Sequence, residues 1–83
     1  MIDNRSITEA PQMLTAETAG ALLGMSAKAL RRADQVGKVP APMRIGRNVR
    51  WRRQELMEWM EAGCPDRATW RAIRGARWRD AAG

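Results

Sequence analysis

Glycine and proline cut this chain into lengths that suit only small, closely packed elements. Gly24 falls between two stretches of helical periodicity, Gly37 and Pro40 close the second, and Gly63 closes a third. A glycine at a helix end takes the positive φ that stops the helix sharply, and a proline cannot continue one. The pattern turns helical at Met13. Thr15 is placed to cap a helix over Ala16–Leu23, and Glu17 lies in its first turn, where a negative charge meets the positive end of the helix dipole. Ala19, Leu22 and Leu23 fall on its inner side. Two residues after Gly24, Ser26 is placed to cap a second helix over Ala27–Val36, with Leu30 and Ala33 facing inward. Ala19 and Gly20 are small where two helices must cross closely, and Met25 is placed to fill the elbow. Two short helices joined by a Gly-containing turn of about three to four residues form a helix-turn-helix.

Pro40-Ala41-Pro42 is too stiff for helix, and the next nine residues change period. Met43, Ile45, Val49 and Trp51 alternate with Arg44 and Arg50, the signature of half-buried strands. Gly46-Arg47-Asn48 reads as a three-residue hairpin loop. The hairpin is therefore expected to turn Met43, Ile45, Val49 and Trp51 inward and to carry arginines on its tip and outer face. A third helix over Arg53–Ala62 places Leu56, Trp59 and Met60 at core spacing, with Glu55, Glu58 and Glu61 outward. Arg52, at its start, is a poor capping residue. Cys64-Pro65-Asp66 then opens a fourth helical stretch, with Pro65 at a first helical position and Asp66 in the first turn. There Trp70 and Ile73 share a side, Arg67, Arg71, Arg74 and Arg77 surround them, and Gly75 weakens the helix. Trp51, Trp59 and Trp70 read as packing residues, Trp78 as one available to an interface, and Met43, Met57 and Met60 as core filler. Three regions result: a flexible arm over 1–12, a domain over 13–63 and a basic helical tail over 64–83.

Charge is as unevenly distributed as the breakers. The net charge of +6 conceals a block over 26–53 in which nine cations face only Asp34. The preceding 25 residues are net negative, and Glu55, Glu58 and Glu61 make the third helix acidic. One concentrated block is what a surface facing a polyanion requires. Thirteen of the 15 cations are Arg, whose planar fork suits phosphate and guanine acceptors. With no His and a single Cys, a zinc finger, a catalytic triad and a Cys/His metal site are all but excluded, and no cofactor is expected. Paired carboxylates at site spacing and a Gly-rich phosphate loop are also lacking, so an enzyme is not expected. No apolar run approaches the roughly 20 residues of a membrane span. The N-terminus has no signal-like apolar stretch, and one Cys suits a reducing compartment. A cytoplasmic, nucleoid-associated protein is expected.

The order of these pieces resembles the excisionase and AlpA-like small DNA-binding domains, relatives of the MerR-type winged helix-turn-helix. The resemblance lies in Leu14-Thr15-Ala16-Glu17-Thr18-Ala19, then Gly24 through Arg32, Gly37 through Pro42, Ile45 through Trp51, and Glu55 through Gly63. It implies a mainly α fold with a small β-hairpin, the second helix in the major groove and the hairpin, or wing, on flanking backbone. It also implies a recombination directionality factor or a small transcription regulator. A long dimerisation helix and an effector domain have no counterpart in the tail, so no small-molecule effector is expected.

On the second helix, Lys28, Arg32 and Gln35 are the candidate base readers, since Arg or Lys matches guanine edges and Gln matches adenine. Ser26 combines a cap with a phosphate bond or serves as a cap only. Arg31 suits a phosphate, because roughly half to two-thirds of protein–DNA hydrogen bonds go to the backbone and sugar. Arg47, Asn48 and Arg50 make the wing contact, to phosphate or minor groove. Arg44 joins them, or pairs with Asp34 or a glutamate of the third helix; Arg52 and Arg53 are solvated or bound. These cations are expected to converge on one convex edge free of glutamate. The partner is double-stranded DNA, with an integrase or a further copy of the chain on adjacent sites. The competing reading keeps the fold and docks the basic face on a protein such as an integrase. RNA is disfavoured, because the A-form major groove is closed to side chains.

Overall fold

The computed structural model describes residues 12–82, with backbone only for 77–82. In chain order the elements are β1 (Met13–Leu14), α1 (Ala16–Leu23), α2 (Ala27–Gln35), β2 (Met43–Ile45), β3 (Asn48–Arg52), α3 (Arg53–Glu61) and α4 (Arg67–Ala82). Among the described residues, four helices and one small antiparallel sheet make a winged helix-turn-helix.

Capping sets the helix-turn-helix as its sequence indicates. The Thr15 hydroxyl accepts from the Thr18 N–H at 3.1 Å and the Ser26 hydroxyl from the Ala29 N–H at 3.0 Å. Gly24 takes the left-handed conformation, φ 71°, and its N–H returns to the Ala21 carbonyl. Gly20 is where the chain has no room: a Cβ there would stand 2.6 Å from the Met25 carbonyl oxygen. α2 ends at Gln35, with Val36 as its C-cap, and α3 ends at Glu61, each about a residue short of the sequence boundary. Arg52 precedes α3 without a side-chain cap bond, as its type predicts.

The sheet departs from expectation in three ways. Met13 and Leu14 are not helical but form a strand against β3, pairing Met13 with Arg52 and Leu14 with Trp51. Gln12, placed in the expected arm, accepts from the Arg53 N–H at 2.8 Å; residues 1–11 lie outside the described ones. The strand order is β1-β3-β2. The hairpin loop has two residues, because Asn48 pairs with Ile45, leaving Gly46 and Arg47 as the turn. Gly46 takes φ 60° at the first turn position, the glycine site of a type II′ hairpin.

That register reverses part of the expected inside and outside. Residues directly opposed across an antiparallel pair share a face. Met43 opposes Arg50 and Ile45 opposes Asn48, so both apolar residues lie with the polar side of β3; Arg44 opposes Val49, on the face that carries Trp51, and is nonetheless exposed. Met43 and Ile45 are 45% and 54% exposed instead of buried. Met57 is exposed as well, so of the three methionines read as core filler only Met60 packs against the core.

The core is Leu14, Ala16, Ala19, Leu30, Val39, Trp51, Leu56, Trp59 and Trp70, with Leu22, Leu23, Ala33 and Ile73 partly buried around it. Each buried indole finds an acceptor, as burial of a polar N–H demands. Trp51 donates to the Pro40 carbonyl (3.0 Å), Trp59 to the Pro65 carbonyl (2.7 Å) and Trp70 to Glu55 (3.0 Å). Glu55 therefore faces α4, not solvent, and also takes Arg74 at 2.6 Å. Asp66 is the cap of α4, accepting from the Thr69 N–H at 2.8 Å, with Pro65 ahead of it; helix continues through Gly75. Trp78 and Arg77 fall among side chains outside the described ones.

Candidate nucleic-acid interface

Helical spacing decides which α2 side chains stand together. Lys28, Arg31, Arg32 and Gln35 recur at i, i+3, i+4 and i+7 and are all exposed, on the side opposite buried Leu30. Ser26 is exposed at the helix start, its oxygen engaged by the Ala29 N–H and its O–H still available to donate. From the wing come Arg47, exposed in the turn, Asn48, exposed beside it, and Arg44, exposed on the inner-face register. Arg50 is half-buried and donates to the Val49 carbonyl at 2.9 Å.

α2 and the wing enclose an open cleft of about 490 Å³. Arg31, Asp34 and Gln35 line it from α2, and Arg44, Arg47, Asn48 and Arg50 from the hairpin. The start of α1, Thr15 to Glu17, completes the lining with Val49 and Trp51. Six of the nine sequence candidates thus meet at this cleft. Lys28 and Arg32 stand on the exposed stripe outside its lining, and Ser26 at the end of that stripe. Where a convex edge was expected, those six residues line a cleft.

A glutamate does stand among the cations. Glu17, at the start of α1, accepts from Arg31 Nη2 at 3.2 Å. A hydrogen bond from its own backbone N–H, followed by the Arg31 contact, holds its carboxyl below the usual glutamate value. Both side chains are more than half exposed, so water screens the pair and it holds Arg31 only weakly. Lys28, Arg32, Gln35, Arg44, Arg47 and Asn48 make no side-chain hydrogen bond or ion pair with another described residue.

Asp34, the other carboxylate of the cleft, is not the partner of Arg44. Arg67 takes it from α4, with Nη2 2.6 Å from Oδ1 and 3.1 Å from the Asp34 carbonyl, while Nε donates to the Val39 carbonyl at 3.0 Å. The Arg67 N–H bonds the Gly37 carbonyl at 2.9 Å. This clamp fixes the C-terminal end of α2 and the link that follows, and partial burial strengthens it relative to a surface pair. No local pattern could disclose it, since Arg67 lies 33 residues from Asp34.

A basic helix stripe, a basic hairpin tip and the closely crossed helix pair behind them define a helix-turn-helix DNA-binding protein of the winged type. Residues 13–64, well over half of the chain, match the family described as helix-turn-helix domain, and the chain belongs to it. No curated protein and no solved structure matches the chain. Among the described residues no helix is long and apolar enough to cross a membrane, and no cluster of three or more potential metal ligands occurs.

Proposed function

We propose that the chain is a sequence-specific binder of double-stranded DNA with a MerR-related winged fold, acting as a small excisionase-like recombination directionality factor or a transcription regulator. α2 enters the major groove, where Lys28, Arg32 and Gln35 read base edges while Ser26 and Arg31 take phosphates. Arg44, Arg47, Asn48 and Arg50 bring the wing onto flanking backbone or minor groove. The DNA-binding domain spans 13–63, flanked by the arm over 1–12 and the basic tail over 64–83. Its place is the cytoplasmic nucleoid, and it performs no catalysis. The observation that carries this reading is the exposed α2 stripe standing beside a wing whose cations face the same cleft. One short reading helix makes few base contacts, so paired or repeated sites are expected, occupied by further copies or by an integrase.

Selection of bound duplexes from a random pool tests it directly. On the selected duplex, neutralising about six phosphates gives a slope of log K against log[salt] near −5. Arg32→Ala is expected to cost about 1–3 kcal/mol and relax preference at one base pair, whereas Arg47→Ala weakens binding to all sequences alike. Unchanged affinity and specificity in Arg32→Ala would remove α2 from the major groove. A second reading, a protein adaptor for an integrase or other DNA-processing partner, is favoured by Met43 and Ile45, exposed beside cations on the outer face of the wing. A salt slope near zero, with no preference among duplexes, would select it.

A further inference from the structure

We infer that the charge Glu17 sets beside Arg31 makes it a determinant of DNA specificity. The inference rests on the function proposed above and deepens it.

The bond joins two helices at the cleft, 14 residues apart in sequence, and sets an acidic group where phosphates would approach Arg31 and Arg44. Of the two carboxylates lining that cleft, Asp34 is held by Arg67, partly buried, while Glu17 is exposed. A guanidinium carries five N–H donors, and a single contact to Glu17 leaves most of them free. When α2 sits in one fixed register, Arg31 can keep Glu17 and give its remaining donors to an acceptor on the DNA. On an unrelated duplex the protein shifts between positions and meets phosphates at changing places. To use Arg31 there, it must break the pair and leave a carboxylate facing the phosphates, a like-charge juxtaposition. Glu17 therefore costs the unrelated complex more than the fitted one.

The test compares Glu17→Gln, Arg31→Ala and the double variant with wild type, on a selected duplex and on an unrelated duplex of equal length. Glu17→Gln removes the charge and keeps one acceptor oxygen, the other becoming an NH2 donor. It is expected to raise affinity for the unrelated duplex about three- to tenfold and to steepen that salt slope by about 0.9, one additional phosphate. Affinity for the selected duplex changes by less than about twofold, so the ratio between the two falls. In the Arg31→Ala background the Glu17 substitution should leave the ratio where it was. Equal factors on both duplexes, or a loss of ratio that persists without Arg31, would overturn this role while leaving the DNA-binding reading intact. A wild-type protein that prefers no duplex overturns both.

Discussion

At Arg67 one guanidinium meets the Val39 carbonyl, the Asp34 carbonyl and the Asp34 carboxylate, with both side chains about four-fifths buried. Hydrogen bonds to charged groups are worth more than neutral ones, about 1.5–3 kcal/mol, and the penalty for leaving the largely buried Asp34 carboxylate without a partner adds to the loss. Arg67→Ala is therefore expected to destabilise the fold by about 2–3 kcal/mol in urea denaturation, with Arg67→Lys recovering only part, since an ammonium does not reproduce the fork. A loss below about 0.5 kcal/mol, the range of ordinary surface substitutions, would make the clamp incidental. The contrast with Arg31 is instructive. Both arginines were legible as cations, but only packing distinguishes the one that holds the fold from the one that stands exposed at the cleft.

Gly20 shows two effects in opposition at the scale of elements. Inside a helix, alanine is favoured over glycine by about 1 kcal/mol. At this position the added Cβ would meet the Met25 carbonyl at 2.6 Å and the Ser26 carbonyl at 3.2 Å, both backbone atoms that cannot rotate aside. Overpacking costs about 1–3 kcal/mol, so the crossing wins and Gly20→Ala is expected to lower the thermal midpoint. A variant more stable than wild type would mean that α1 and the turn can separate freely. The hairpin is the other element whose detail mattered. A loop of three residues would have set Ile45 opposite Val49 and Arg44 opposite Arg50, keeping the apolar residues together. The two-residue turn shifts the pairing by one, and one step exchanges the faces of β2 relative to β3. Gly46, Arg47 and Asn48 permit either loop, which is why the sequence pattern placed the strands correctly and their register wrongly.

At the scale of the whole molecule, two exposed carboxylates are held below their ordinary values. Glu17 lies below its ordinary 4.5 through its own backbone N–H and then Arg31, and Asp66 below its ordinary 3.8 through Thr69 at the start of α4. A depressed carboxylate contributes stability that is complete above its unfolded value and is lost as pH falls through the folded one. The urea midpoint is thus expected to stay level from pH 7 to about 5.5 and to fall below about 4.5. Glu17→Gln combined with Asp66→Asn should flatten that decline. An equally steep fall in the double variant would assign acid sensitivity to other carboxylates.

The helix positions, the two caps, the turn at Gly24 and the place of the hairpin strands were determined by the sequence itself, because each depends on residues within a turn or two of one another. The exposed stripe of α2 was equally legible, since helical spacing fixes it once Leu30 is known to be inside. The tertiary structure decided the rest. It joined Met13–Leu14 to β3, turned Glu55 onto Trp70 and Arg74, gave Asp34 to Arg67, and stood Glu17 beside Arg31. All four join residues 14 or more positions apart. Their partners are selected by which surfaces the packed helices bring within hydrogen-bond reach, a choice that no local period encodes.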